Sequence, residues 1–351
     1  IIDTKSGTYN PIHMNNTKEL TMNKLKTIGV SALCGTLAAV SAQAGEMSVS
    51  GSANATWTSK PGTVANAPLG IQSSMAFTGT GELDNGNAVA VHIYHDDQNV
   101  FSSADISVDV AGIGKFSVDQ GTGTGLHRLD DKTPTAWEEP YDAGLGSGIV
   151  TATGAGNGTD IELAVSSDLT PEGMSLYLSY APDAAAGATN DKTTSSTNPG
   201  TGSGYDIVVE HSGLADGLNI FGGYSNINYN VGTDRESKVL GFTYAVGGFT
   251  FGAQKYKDEM GNQSVDYYDN LAFGVSFLVN DNLSVSYGQH ASDQATEAAS
   301  KIELETKSLQ AAYTMGGATF KIARSDVSNA NYSSAAVNDY DVNVVAMSLA
   351  F

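Results

Sequence analysis

The stretch VNVVAMSLAF, Val342–Phe351, decides how the rest of the chain is read. Taken alternately, Val345, Met347, Leu349 and Phe351 form one set of large apolar side chains, and Val344, Ala346, Ser348 and Ala350 form the other. A period of two is that of a β-strand with one apolar face. Such a face must meet either a dry core or lipid, and the rest of the chain tells which.

The composition favours an ordered chain: 40% of residues are hydrophobic, and 40 glycines and 16 tyrosines stand beside only 8 prolines. Mean hydropathy is −0.16. No run of 18 apolar residues occurs, so a helical membrane span is excluded. A formal charge of −21 argues against nucleic acid, whose partners are basic.

From Met22, the stretch MNKLKTIGVSALCGTLAAVSAQA reads as a secretory signal peptide. Lys24 and Lys26 form the basic region, Ile28 to Val40 the apolar stretch, and Ala42-Gln43-Ala44 the cleavage motif. Residues 1–21 read as an upstream leader without structural role, 22–44 as the signal and 45–351 as the exported β-barrel. Cleavage is expected after Ala44. The one cysteine, Cys34, lies in the signal, so the exported part is expected to hold neither disulfides nor thiolate metal sites. It would carry 13 basic and 36 acidic residues, a charge of about −23.

From Gly45 on, the alternation recurs in sixteen candidate strands, near 46–58, 70–83, 88–97, 103–111, 114–120, 159–167, 173–181, 204–212, 217–229, 238–247, 248–257, 268–279, 282–290, 301–315, 317–327 and 340–351. Short Gly/Asn/Asp turns (Asp84–Asn87, Gly247-Gly248, Gly316-Gly317) alternate with long polar connections such as 181–203 and 328–339. Sixteen strands with small or polar alternates cannot share one dry core. The pattern predicts an all-β fold: a closed antiparallel transmembrane barrel, apolar face to lipid and polar face to a watery lumen. Between Leu304 and Leu309 the parity breaks, which predicts a bulge or shifted boundary there.

In strand number, turn rhythm and terminal phenylalanine, residues 45–351 resemble the Gram-negative general (non-specific) porins. The resemblance implies residence in the outer membrane amid its lipid, association of three copies, and insertion by the barrel-assembly machinery with Phe351 as its signal. It also implies a third long loop folded into the lumen. Residues 121–158 occupy that place, with Asp130, Asp131, Glu138, Glu139 and Asp142 as candidate constriction acids beside Arg128 and Lys132. The family sets an arginine cluster on the facing wall, and here this chain departs. Parity turns only His92, Lys115 and Lys321 inward, against Asp96, Asp105, Asp109, Asp119, Glu162, Asp206 and Glu210. The expected result is a passive pore for ions and small hydrophilic solutes that prefers cations.

Catalytic and cofactor readings are weaker, and no cofactor is expected. His92 and His95 stand three apart on a strand and face opposite sides, which disfavours zinc. The glycine runs 121–125 and 154–158 open no helix, so they do not cradle phosphate. AGNGTD matches a calcium-binding repeat only once. Three alternatives stay open: a solute-specific channel using Tyr94 and Tyr177, an outer-membrane enzyme with strand-borne Ser and His, and a soluble β-sandwich adhesin.

Overall fold

The computed structural model describes residues 45–61, 68–97, 102–157, 159–184, 201–230, 232–261, 264–296 and 299–350. The expected leader and signal, Cys34, most of the loop 181–203 and Phe351 lie outside the described residues. The sixteen strands are β1 (Met47–Ser59), β2 (Leu69–Glu82), β3 (Ala88–Asp96), β4 (Ser103–Val110), β5 (Gly114–Gln120), β6 (Thr159–Val165), β7 (Met174–Ala181) and β8 (Thr201–His211), followed by β9 (Leu218–Tyr229), β10 (Arg235–Val246), β11 (Phe249–Glu259), β12 (Tyr267–Asn280), β13 (Leu283–Thr296), β14 (Ala299–Met315), β15 (Ala318–Ser328) and β16 (Tyr340–Ala350). Each pairs antiparallel with its sequence neighbours, and β1 pairs with β16 from Ser52↔Ala350 to Ser59↔Asn343, closing the barrel. Closure leaves no sheet edge, the condition for strands to cross a bilayer.

The two faces separate as the alternation requires. In β16, Val345, Met347 and Leu349 point outward and are 46%, 39% and 47% exposed, while Val342, Val344, Ala346 and Ser348 face inward and are buried. The same outward set recurs as Ile106 and Val108, Val118, Leu240 and Phe242, and Leu271, Phe273 and Val275. Two-residue turns join β10 to β11 and β14 to β15, where Gly247 and Gly316 take φ of +59° and +62°. Hairpin turns of this length need that left-handed conformation, which glycine adopts without a Cβ clash.

The structure corrects the expected irregularity in β14. Its ladders run without interruption from Ile302 to Tyr313 against β13, and from Glu305 to Met315 against β15, so no bulge lies between Leu304 and Leu309. Leu304 simply faces inward, fully buried against Tyr268 and Tyr332, whereas Leu309 faces out. The parity broke because an apolar residue occupies an inward site capped by a loop. The register shift sits instead at the upper end of β13, between Gln294 and Thr296.

A loop folded into the barrel

Residues 121–157 leave the top of β5 and run inside the barrel along the wall formed by β6–β15. A 3-10 turn at Gly125–Leu129 buries Leu126 and Leu129 completely against the inward-facing Val208, Phe221, Val239 and Tyr256. Further on, a single helical turn, α1 (Pro140–Ala143), packs on β13–β15, with Pro134 over Gly252 and Gly274 and Pro140 over Gly288. At these three wall glycines a Cβ would come within 2.5–2.7 Å of the loop. The missing side chains make room for the loop.

Wall carboxylates grip its root through backbone N–H groups and one threonine hydroxyl. Asp119 accepts from Thr122 N at 3.1 Å, Asp160 from the Thr124 hydroxyl at 2.8 Å, and Glu162 from Gly125 N at 2.9 Å. Asp206 accepts from Leu126 N on the outgoing leg at 2.9 Å and from Ala155 N and Gly156 N on the returning leg at 2.9 and 3.2 Å. Arg128 pairs with Glu162 and lies 3.9 Å from the Tyr177 ring centroid, and Lys132 pairs with Glu210 at 3.0 Å. The loop thus carries its cations to the wall acids.

This sorts the candidate lumen residues. Asp119, Glu162 and Asp206 point inward, but the loop covers them, leaving them 1–4% exposed. Glu210 is engaged by Lys132, and Asp105 lies 2.9 Å from His92 Nδ1. Asp96 borders the open lumen, and Asp109 and Lys115, opposite each other at the periplasmic end of β4 and β5, are exposed. Lys321 lies beneath the loop tip, 5.5 Å from the Trp137 ring centroid. Asp160, opposite Asp119 in the β5–β6 ladder, shares the inward parity of Glu162 and is covered in the same way. Arg235, which holds Thr153 at 2.9 Å and the buried Asp258 at 2.8 Å, escaped because β10 starts three residues before the expected strand.

The loop acids divide as well. Asp130 is half-buried, 3.5 Å from His127 Nε2, and partial burial with the neighbouring Asp131 pushes its pKa up to about 6. Asp131 accepts from the Tyr141 hydroxyl at 2.9 Å, and Glu139 leads into α1. Glu138 and Asp142, with Trp137 and Leu145, border an open space of about 640 Å³ whose other side is Thr56, Thr58, Gln72 and Val344. Burial, reinforced by nearby Asp142, raises Glu138 to about 7; burial and Asp131 raise Asp142 to about 6. Beyond, the wall continues as Ser50, Ser52, Asn54, Ser74, Tyr94 and Ser103. Among the described inward positions of β1–β4 and β16 there is no lysine or arginine.

Comparison with known proteins agrees with this architecture. The chain superposes on Salmonella typhi OmpF in complex with daunomycin (TM-score 0.64, 15% identity, 89% of this chain and 99% of that one). It superposes on OmpT, an outer membrane protein of Vibrio cholerae (0.63, 11%, 90% and 100%), and on the anion-selective porin from Comamonas acidovorans (0.60, 14%, 87% and 99%). At such identities these likenesses establish the fold. No curated protein matches the chain. The family model for Gram-negative porins matches residues 29–299. Fold and family together point to an outer-membrane channel: a sixteen-stranded barrel with a loop inside it, and a chain that belongs to the Gram-negative porin family.

Proposed function

We propose that the channel passes ions and small hydrophilic solutes by passive diffusion, with a preference for cations, and that residues 121–157 form its constriction. One observation carries the reading. Glu138 and Asp142 face a wall of hydroxyls and amides whose strands β1–β4 and β16 put no lysine or arginine inward among the described residues, and the cation at its rim, Lys60, is tied to the Leu145 carbonyl at 2.6 Å, so carboxylates dominate the potential of the narrow passage. Lys321, under Trp137, offsets part of it. Of the two aromatics of a solute-specific track, Arg128 covers the Tyr177 ring and Tyr94 borders the open lumen, which leaves one ring and no continuous track of the two. The test is the zero-current potential of the reconstituted protein across a salt gradient. A sign corresponding to cation permeation supports the reading, and anion preference overturns it.

Association of three copies rests on an asymmetry of the outer face. The described outward positions of β1–β9 carry no Asp, Glu, Lys or Arg. On β10–β16 the outward positions near the extracellular ends hold a charged belt that includes Lys238–Glu236, Lys257–Glu259, Lys255–Asp269, Lys301–Asp293, Lys307–Glu305 and Arg324–Asp341. Charges at that height suit lipid headgroups, and their lack on β1–β9 suits contact with other copies. Cleavage after Ala44 and a role for Phe351 in recognition by the assembly machinery complete the proposal. N-terminal sequencing of membrane material and the surface level of a chain lacking Phe351 test them.

A further inference from the structure

The loop tip is held to the wall it lies on by an uncharged side chain. Gln310, on β14 and 3% exposed, accepts N–H from Trp137 and Glu138 through Oε1, each at 3.1 Å, and donates through Nε2 to the Glu138 carbonyl at 2.7 Å and to Ser308 Oγ at 3.0 Å. Two acceptor and two donor positions are all that an amide offers. Every one is used, so the amide cannot flip without setting its NH₂ against two N–H groups. Ser325 Oγ lies 3.0 Å from Ser308 Oγ and continues the chain of hydrogen bonds into β15. Ser286, opposite Gln310 in the β13–β14 ladder, accepts the preceding N–H, that of Ala136, at 2.8 Å.

We propose that Gln310 is a positioning residue for selectivity: it fixes the Trp137–Glu138 backbone so that the Glu138 carboxylate stays at the passage. This rests on the reading that the loop narrows the channel. Asp142 and Lys321 are the charged groups that act on Glu138. Freed of the tether, the carboxylate can swing toward Lys321 and be neutralised there. An uncharged buried residue then governs the charge that permeating ions meet.

The test compares Gln310→Met, near-isosteric and without amide hydrogen bonds, with Glu138→Gln and the double variant, all as full-length barrels in planar bilayers. Gln310→Met is expected to shift the zero-current potential toward that of Glu138→Gln and to raise open-channel noise. The double variant is expected to match Glu138→Gln alone, since the two residues act through one carboxylate. A merely structural role would lower the unfolding temperature and leave the potential unchanged. If Glu138→Gln shifts the potential and Gln310→Met does not, the proposal is overturned and the constriction reading stands. If neither shifts it, the constriction reading fails and the proposal with it. Should Gln310→Met not fold, Gln310→Ala, which leaves room for water, is measured in its place and decides by the same criteria.

Discussion

Glu138 and Asp142 are weak acids in this setting because burial penalises their charged forms, so they titrate near 7 and 6 rather than in the usual carboxylate range. A raised carboxyl pKa means that the negative charge is present above that pH and lost below it. Cation preference should therefore be high at pH 8 and fall as the pH drops through 7 and 6. Zero-current potentials recorded from pH 8 to pH 5 check this, and Glu138→Gln should remove the upper part of the titration. Close to a permeating ion, one carboxylate is worth between about 1 and 4 kcal/mol depending on the local dielectric, so a several-fold change in permeability ratio is expected. At the loop root, Gly125 (φ +56°) and Gly154 each leave space for the Asp206 carboxylate, which a Cβ would meet at 2.1 and 2.3 Å. Alanine at either site should unseat the root at a cost of about 1–3 kcal/mol. The barrel should still form, but protease should cut the loop faster than in the parent.

Within a strand, the physics turns on which face a residue occupies. Val344 and Val345 are neighbours in β16, yet Val344 borders the passage and Val345 faces outward. Lysine at 345 meets hydrocarbon and should destabilise the barrel by about 2–4 kcal/mol if it lies at mid-membrane, where such substitutions are most expensive. Lysine at 344 meets water and the loop acids. It should leave folding nearly intact and move the channel toward anions. Urea unfolding in lipid vesicles separates the first effect from the second, which bilayer recordings read. Equal stability losses in the two variants would contradict the assignment of faces.

For the whole molecule, one half of the circumference is charged near its outer rim and the other is not, and the uncharged half is the expected contact between copies. Ile106, 66% exposed on β4, lies on that face. Ile106→Lys should lower the temperature at which the oligomer dissociates while the barrel itself stays folded, as read by gel mobility with and without heating. An unchanged oligomer would move the contact elsewhere. Selectivity is also a property of the whole field. The screening length is about 8 Å at physiological salt and about 30 Å at 0.01 M, so cation preference should strengthen as salt is diluted. A preference independent of salt would indicate a specific binding site instead of a charged passage.

The alternation alone determined the barrel. Strand ends lie within three residues of expectation except in β13, which runs six residues further, to Thr296; lipid on one side and water on the other impose a period of two that survives without any tertiary information. Turn chemistry set the direction of the hairpins for the same local reason. Charge was harder to read. Parity shows that Asp119, Glu162 and Asp206 point inward, but it cannot show that a loop passes over them and takes their oxygens as acceptors. Nor could it single out Gln310, whose four hydrogen bonds reach residues more than 170 positions away, apart from its neighbour Ser308. Leu304 looked like a fault in the pattern until the loops above the barrel supplied it with a core. Periodicity is local and belongs to the sequence. Which inward groups meet water is decided only when the loop folds back across the lumen, and that is a contact between distant parts of the chain.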